Sequence, residues 1–430
     1  MFIWDTRYET MAQEEIQQFQ LEKLQALINR LYLNIPYYKK IFTERNIKPQ
    51  DIKSLSDIKK IPFMDKDVLR LNQPYGLFAL PLREIIRFHS TSGTTGKPIA
   101  VGYSKNDINH WAELVARTLN AVGVTNNDVV QIAFEYGMFT GGLGFHYGAE
   151  KIGASIIPVS NINPEHQLEI MKNYRTTVLI ATPTMALNLA NVLEKLNINK
   201  NELSLRIGLL GAEPWNEEIR NFIEEKLNIK AYDSYGLSEI IGPGVAFECQ
   251  YKEGLHLSED YFYAEIINPE TGEVLGEKEE GELVLTTLTK EAFPLLRYRT
   301  RDITSISKEK CKCGRTILRI ERLKKRTDDV IIINGVKIYP EVLSKIVSEE
   351  DSLGDKFEIK VSREEGLDKI EIDVEIKSGS FANVLSDFIK ITEVLKSKIR
   401  VTYNIESTIK LVESTSLSHI KKRYKITDLR

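Results

Sequence analysis

The nine residues Ser-Thr-Ser-Gly-Thr-Thr-Gly-Lys-Pro at positions 90–98 decide how the rest of this chain is interpreted. They place hydroxyl groups, two glycines and a lysine in one short segment. Glycine lets backbone N–H groups approach an anion closely, hydroxyls add hydrogen-bond donors, and lysine adds a positive charge. The segment therefore predicts a phosphate-binding loop, although Ser/Thr/Gly clusters also form ordinary polar turns between strands.

This loop is not a P-loop of the Walker type. That motif needs four residues between its glycines and a Ser or Thr after its lysine. Here two residues separate Gly93 from Gly96, and Pro98 follows Lys97. Ordinary kinases and GTPases are therefore disfavoured.

The composition is that of an ordinary globular protein, with 42% hydrophobic and 28% charged residues. A length of 430 residues predicts two or three domains. The 58 Lys+Arg and 61 Asp+Glu residues nearly balance, so we expect neither a nucleic acid nor a membrane as partner. Three cysteines, no secretory leader and no long apolar run favour a cytoplasmic protein.

Downstream of the loop, short apolar runs alternate with amphipathic stretches, which predicts a mainly parallel sheet covered by helices. The predicted strands are 129–134, 154–159, 177–181 and 206–210. The predicted helices are 167–174, 185–196 and 217–227, preceded by an N-terminal helix over 13–33 that Pro36 ends. Beyond residue 257 the predicted strands follow one another more closely, at 263–267, 282–288 and 304–307, which predicts a small β-barrel-like subdomain.

The last hundred residues have a strand and helix pattern of their own, which predicts a small α+β domain. Its strands are expected at 330–333, 357–361, 369–376 and 407–411, and its helices at 340–348 and 381–399. The boundary falls in the charged stretch 322–329. The expected organisation is an α/β N-terminal domain (1–326) followed by a small α+β C-terminal domain (327–430).

The loop at 90–98 resembles the phosphate-binding loop of the adenylate-forming superfamily, the acyl-CoA synthetases and their relatives. Further motifs follow in the superfamily's order. YDSYGLSE at 232–239 resembles the motif whose glutamate binds Mg²⁺, and RYRTRD at 297–302 resembles the motif whose aspartate binds the ribose hydroxyls. RTDD at 326–329 resembles the hinge between the two domains. The resemblance implies that domain 1–326 holds the ATP and acid site and that domain 327–430 is mobile. Arg301 and Lys325 stand where the superfamily usually has glycine.

Four further segments narrow the resemblance to one branch, phenylacetate–CoA ligase. They are 136–144, 146–150, 211–215 and 242–245. The resemblance implies a ligase that converts an arylacetic acid, phenylacetate first, to its CoA thioester through an acyl-AMP intermediate, releasing AMP and pyrophosphate. It also implies a role in aromatic acid catabolism and a homodimer.

Two alternatives remain open. An adenylating ligase of the same branch would pass the acyl group to a carrier protein or an amine, not to CoA. A nucleotide-binding regulator would lack catalysis, but it would have no need of Lys422 beside Lys97, Glu239 and Asp302.

Site residues follow from the motif matches, residue by residue. The catalytic residues would be Lys97, Glu239 with Mg²⁺, and Lys422, for which Lys421 and Lys425 are close competitors. The ATP- and AMP-binding residues would be Ser90, Thr91, Ser92, Gly93, Thr94, Thr95, Gly96, Gly211, Ala212, Glu213, Asp233, Ser234, Tyr235, Gly236, Asp302 and Arg326. Asp328 would be the hinge, and Gly335 would face CoA. Taken singly, Asp302 could cap a turn, Glu239 could be a solvated helix residue, and the C-terminal lysines could form a solubilising tail.

An apolar acid pocket is expected where glycines adjoin aromatic residues, because that pattern leaves room for a flat ring. Its residues would be Tyr136, Phe139, Gly141, Gly142, Ile240 and Pro243. The same aromatics could instead belong to the core of an α/β sheet.

The cysteines lie in two short segments. Cys311 and Cys313 form a C-x-C pair, while Cys249 and His256 flank a glycine-containing turn. Together they could supply a closed Cys₃His set for a structural zinc ion, although cytosolic cysteines are usually small buried hydrophobes. The segment 311–316 also resembles one in metal-bearing members of the branch, so we expect zinc.

Overall fold

The computed structural model describes residues 2–91, 98–323, 325–327, 329–334, 336–364, 367–377, 385–417, 420 and 422–430. Residues 92–97 of the expected phosphate loop, together with Asp328, Gly335 and Lys421, lie outside the described residues. The chain forms two compact units, of which the first ends at Thr327 and the second runs to Arg430. No helix of the described part is long and apolar enough to cross a bilayer.

The first unit contains helices α1 to α9 and strands β1 to β15. The helices are α1 (Thr6–Glu9), α2 (Gln13–Asn34), α3 (Pro36–Glu44), α4 (Lys66–Leu71), α5 (Lys105–Ala121), α6 (Gly141–Ile152), α7 (Pro164–Asn173), α8 (Pro183–Lys195) and α9 (Glu217–Leu227). The strands are β1 (Arg87–Ser90), β2 (Ala100–Tyr103), β3 (Val129–Ile132), β4 (Ser155–Ile157), β5 (Val178–Ala181), β6 (Ile207–Gly211), β7 (Lys230–Leu237), β8 (Gly242–Glu248), β9 (Leu255–Leu257), β10 (Phe262–Ile267), β11 (Gly281–Thr287), β12 (Tyr298–Thr304), β13 (Ile306–Ser307), β14 (Arg319–Ile320) and β15 (Lys325–Arg326).

The second unit has two helices and six strands in its described part. They are β16 (Ile331–Ile333), β17 (Val336–Ile338), α10 (Pro340–Ser348), β18 (Leu353–Glu364), β19 (Leu367–Ile376), α11 (Leu385–Tyr403), β20 (Thr408–Glu413) and β21 (Tyr424–Asp428).

The large sheet of the first unit is mixed, not mainly parallel as expected. Its nine strands run in the order β13-β14-β9-β8-β7-β6-β5-β3-β4. Neighbours from β4 to β7 pair in parallel, and neighbours from β7 to β13 pair antiparallel. Only four residues, 238–241, connect β7 to β8. So short a connection cannot cross over the sheet, and β8 must therefore run antiparallel to β7.

The strands expected to form a barrel-like subdomain divide between two sheets. Strands β10, β11, β12 and β15 form a four-stranded antiparallel sheet, while β13 joins the large sheet. Among the described strands, β10 and β15 are the two edges of the smaller sheet, which is therefore open.

The N-terminal helix is confirmed, since α2 spans Gln13–Asn34 and buries Leu24, Leu27, Ile28 and Leu31 in the main core. The connection after it contains a further helix, α3, which begins at Pro36; proline is tolerated at the first helical position.

The second unit packs its helices on a sheet ordered β20-β19-β18-β21. Strand β21 was not expected, because the C-terminal stretch reads as a basic tail. It pairs in parallel with β18, in the register Phe357 to Tyr424. Tyr424 and Ile426 pack against the core of this unit, whereas Lys425 between them is exposed.

Candidate active site

Glu239 lies in the tight turn between β7 and β8. The amides of Ile240 and Ile241 donate to the Leu237 carbonyl at 3.1 and 3.0 Å, which closes the turn. A Cβ at Gly236 would lie 2.0 Å from the carbonyl oxygen of Gly242, so this approach requires glycine. Glu239 is 7% exposed and is not a solvated helix residue.

Lys66 at the start of α4 forms an ion pair with Glu239, with 3.4 Å between Nζ and Oε1. Asp65 caps this helix by accepting from the amides of Asp67 and Val68. The sequence-based prediction missed Lys66, because a lysine in an ordinary charged segment has no local signal for this contact. The pair places positive charge next to the expected Mg²⁺ ligand.

Asp302 is a buried residue on β12 whose carboxylate accepts from two side chains. The Tyr235 hydroxyl donates to Oδ2 at 2.7 Å, and Arg326 Nη1 donates to Oδ1 at 2.5 Å. Burial raises the pKa of Tyr235, and the adjacent Asp302 carboxylate adds to the rise. The structure thus brings together three residues expected to bind the nucleotide, and Asp302 is not a turn cap.

The expected nucleotide-binding residues of β6 and β7 meet where the parallel pairing of these two strands ends. Gly211 pairs with Ser234, and a Cβ at Gly211 would lie 2.3 Å from the Ser234 carbonyl oxygen. Ala212 follows with a φ of +68° and is exposed. Ligands of open α/β sheets commonly bind outside the carboxyl ends of strands, so this position suits a nucleotide.

Glu213 has a structural contact that the sequence did not suggest. Its Oε2 accepts from the Thr184 amide at 3.0 Å and from the Thr184 hydroxyl at 2.8 Å. Thr184 lies in the first turn of α8, so Glu213 satisfies a backbone donor at that helix terminus. Its expected role as a nucleotide ligand stays a prediction.

Asp233 lies among charged groups at the same edge. Arg322 Nε is 3.2 Å from Asp233 Oδ2, and the backbone amide of Asp233 donates to Glu248 Oε2 at 2.8 Å. Burial raises the pKa of Asp233 to about 6; Glu248 adds to the rise and Arg322 opposes it. The carboxyl group of Asp233 is therefore mostly ionised above pH 7.

The expected acid-pocket residues lie on two adjoining segments. Thr140 occupies the N-cap position of α6 without a side-chain capping hydrogen bond, and its hydroxyl oxygen lies 3.1 Å from that of Ser238 in the Glu239 turn. A Cβ at Gly142 would lie 2.6 Å from the Glu135 carbonyl oxygen and 3.1 Å from the Tyr136 ring. Ile240 is fully buried and Phe139 is 43% exposed. The acid-pocket glycines therefore allow close packing next to the Glu239 turn.

The described ends of the phosphate loop are attached beside this region. The Ser90 amide donates to the Met138 carbonyl at 3.1 Å, and the Ile99 amide donates to the Thr91 hydroxyl at 3.2 Å. Ser90 on the N-terminal side of the expected loop therefore lies next to the segment that carries Phe139. The expected phosphate ligands 92–97 lie outside the described residues.

The four expected zinc ligands come together in the first unit. Their ligand atoms all lie within 4.8 Å of one another, and every one of the four residues is buried. Cys249 Sγ is 3.8 Å from Cys311 Sγ, and Cys313 Sγ is 3.4 Å from His256 Nε2. A tetrahedral zinc site with ~2.3 Å Zn–S and ~2.0 Å Zn–N bonds has edges of about 3.5 to 3.8 Å. These residues therefore fit a zinc ion.

The C-terminal lysines differ in their surroundings. Lys425 on β21 forms an ion pair with Glu358 on β18, at 2.9 Å. Lys422 precedes that strand and is exposed. Lys421 lies outside the described residues. Of the two described candidates, Lys425 is therefore the one already engaged in a contact within its own unit.

Two family models match the chain. One described as "AMP-binding enzyme" matches residues 80–288, and one described as "AMP-binding enzyme C-terminal domain" matches residues 335–430. A phenylacetate-coenzyme A ligase of Pseudomonas putida is 45% identical over 371 residues, which are 86% of this chain and 84% of that protein. The Escherichia coli (strain K12) enzyme of the same name is 40% identical over 425 residues, 98% and 97% of the two chains.

The chain belongs to the phenylacetate–coenzyme A ligase family. The Thermus thermophilus member is 43% identical over 383 residues, covering 89% of this chain and 86% of that one. Among solved structures, a 2-hydroxyisobutyryl-CoA ligase has a TM-score of 0.93 at 24% identity, covering 100% of this chain and 93% of that chain. That likeness and the two family models together show the fold of adenylate-forming enzymes, with a separate C-terminal domain.

Proposed function

We propose that this chain is an ATP-dependent acid–CoA ligase that acts on phenylacetate. The observation that supports it most is the match to phenylacetate-coenzyme A ligases over 98% of the chain in one case and 86% in another. The expected Mg²⁺ ligand Glu239 and the expected ribose ligand Asp302 are both buried, and each forms an ion pair, with Lys66 and Arg326 respectively.

The reaction has two steps. A carboxylate oxygen of phenylacetate attacks the α-phosphorus of ATP, and pyrophosphate leaves. The CoA sulfur then attacks the acyl carbonyl, and AMP leaves. Because the first step brings two anions together, the site must neutralise and align them.

Glu239 would hold Mg²⁺ with the phosphates of ATP, a ligand set that this hard cation prefers. When bound, the ion would neutralise phosphate charge. Lys66 and the loop lysine Lys97 would add positive charge, and Asp302 would accept hydrogen bonds from the ribose. Lys422 would contact the reacting carboxylate and phosphate in the first step.

We also propose that the C-terminal domain turns about Asp328 between the two steps and presents the face near Gly335 to CoA. Two chemistries in one pocket call for such a rearrangement. Both residues lie outside the described part of the chain, and their roles stay predictions, as do a homodimer and a cytoplasmic location.

The Cys249, His256, Cys311 and Cys313 cluster would hold a structural zinc ion. Four protein ligands leave no open coordination position, so we assign the ion no catalytic role.

An assay with phenylacetate, ATP, Mg²⁺ and CoA tests the proposed function. We expect phenylacetyl-CoA, AMP and pyrophosphate in equal amounts by liquid chromatography, and a lower rate with aliphatic acids. Pyrophosphate without any thioester would instead favour transfer to a carrier protein or an amine. No pyrophosphate with any acid of a broad panel would favour a nucleotide-binding regulator.

Asp302→Asn is expected to raise the KM for ATP by roughly 10- to 100-fold, because a hydrogen bond to a charged group contributes about 1.5–3 kcal/mol. Initial rates of pyrophosphate release at varied ATP measure this. Tyr235→Phe removes the hydroxyl that donates to Asp302 but leaves the carboxylate, so we expect a smaller increase in KM for this variant. Equal KM increases in both variants would contradict a direct contact between Asp302 and the ribose.

A further inference from the structure

Three buried side chains donate to carbonyl groups in the segment that follows Glu239. Lys290 Nζ donates to the Ile240 carbonyl at 2.7 Å, and the Tyr103 hydroxyl donates to the Ile241 carbonyl at 2.9 Å. Trp111 Nε1 donates to the Pro243 carbonyl at 3.1 Å. We call Lys290, Tyr103 and Trp111 the carbonyl clamp.

The carbonyl clamp is itself tightly packed. The Tyr103 and Trp111 rings stack with their centroids 5.1 Å apart, and Lys290 Nζ lies 4.7 Å from the Tyr103 centroid. A Cβ at Gly144 would lie 2.5 Å from the Trp111 ring. Contacts other than those to the Ile240, Ile241 and Pro243 carbonyls therefore hold the three donors in position.

Lys290 is the unusual member of the clamp. It is 2% exposed, and among the described residues no carboxylate lies within ion-pair distance of its ammonium group. Burial lowers the pKa of Lys290 to about 7, while Asp107 and Glu239 act in the opposite direction. Burying an amino group costs free energy, which the hydrogen bond to the Ile240 carbonyl and the contact with the Tyr103 ring offset in part.

The backbone around Lys290 is held without help from its ammonium group. Asp107 accepts from the amides of Glu291 and Ala292 at 2.7 and 3.0 Å, and Arg30 donates to the Lys290 carbonyl. The side chain therefore reaches from an independently anchored loop to the Ile240 carbonyl.

We propose that the carbonyl clamp, with Lys290 at its centre, positions the Glu239 turn for the adenylation step. The turn carries the expected Mg²⁺ ligand and one wall of the expected acid pocket, so a shift of the Ile240 peptide displaces both. The inference rests on the proposed function for its catalytic consequence. It makes Lys290 a positioning residue, since it touches neither the acid nor the nucleotide.

Lys290→Met tests the clamp, because methionine has a similar length and no donor. We expect KM values for phenylacetate and for Mg²⁺–ATP that rise about tenfold, with a Tm within a few degrees of wild type. Lys278→Met is the matched control, since Lys278 is an exposed lysine that pairs with Glu309. A purely structural role would lower kcat through loss of folded enzyme and leave both KM values unchanged, which would overturn the proposal.

Hydrogen exchange of the peptide covering 238–243, measured without substrates, gives a readout that does not need activity. We expect exchange at least tenfold faster in Lys290→Met, and a smaller increase in Tyr103→Phe, which loses one hydroxyl only. Wild-type exchange in Lys290→Met would overturn the proposal, and so would wild-type exchange in Tyr103→Phe if Lys290→Met does not fold. A wild-type enzyme that forms no phenylacetyl-AMP would refute the proposed function instead, and the exchange result would still decide whether the clamp holds the turn.

Discussion

Lys422→Ala is expected to lower the rate of phenylacetyl-AMP formation by about 10²- to 10³-fold, because that is the usual cost of removing one charged donor from a developing anion. Thioester formation from supplied phenylacetyl-AMP should remain near the wild-type rate. The reason is that a lysine on the C-terminal domain would contact the reacting groups in the adenylating arrangement only. Pyrophosphate release and thioester formation, measured separately, check both parts.

Lys425→Ala is the control for that prediction. It removes the same charge from the same segment, but Lys425 is paired with Glu358 across β18 and β21. Loss of a partly exposed ion pair costs at most about 1 kcal/mol, so both half-reactions should stay close to wild type. Equal damage to both half-reactions in Lys422→Ala, or a larger adenylation defect in Lys425→Ala, would contradict the assignment of Lys422.

The βα half of the first unit was predictable because its signal is local. Helix α9 spans Glu217–Leu227 as expected, and strand β5 begins one residue after the expected start. Each of these elements has its own apolar period and its own boundary residues, such as the Asn216 cap of α9. Tertiary packing therefore changed neither the type nor, by more than one residue, the start of these elements.

The antiparallel half and the C-terminal strand depend on partners that are distant in the sequence. Strand β21 has only Tyr424 and Ile426 as inward apolar residues, and its partner β18 lies more than fifty residues earlier. A pattern this short predicts a tail as readily as a strand. The segment 424–428 forms a strand because it pairs with the edge of β18 that β19 leaves open.

The residues of the candidate site also divide into those that a local motif marks and those that no motif marks. The sequence singles out Glu239 and Asp302 because motifs surround them, and both are buried in the structure, while their roles stay predictions. Lys66 and Lys290 could not, because a single lysine in an ordinary charged or polar segment has no spacing to distinguish it. Arg301 has a φ of +69°, which explains why the superfamily usually has glycine there. Its side chain lies 3.8 Å from Glu282, a contact that glycine could not make.

Cys311→Ser is expected to abolish zinc binding and to lower the Tm by roughly 10 °C. A structural zinc ion contributes several kcal/mol to folding, and about 1 kcal/mol shifts the Tm of a unit this large by a few degrees. Elemental analysis should find about one zinc ion per wild-type chain and none in the variant. Lys312→Ala is the control, since this exposed residue lies between two ligands and pairs with Glu253 outside the cluster. A wild-type protein without zinc would contradict the prediction.

The zinc site should also affect the N-terminal segment, because Arg315 connects the two. Its Nη1 lies 3.5 Å from Cys313 Sγ, its Nε donates to Glu9 Oε2 at 2.5 Å, and its Nη2 donates to the Phe2 carbonyl at 2.7 Å. Without the metal, the 311–316 segment loses its anchor, and the buried Arg315 to Glu9 pair is no longer fixed. Hydrogen exchange in residues 2–12 should therefore increase in Cys311→Ser, whereas phenylacetyl-CoA formation per folded molecule should stay nearly unchanged. A large loss of activity in fully folded Cys311→Ser protein would mean that the metal also orders the Glu239 turn. Strand β8 connects that turn to the zinc ligand Cys249.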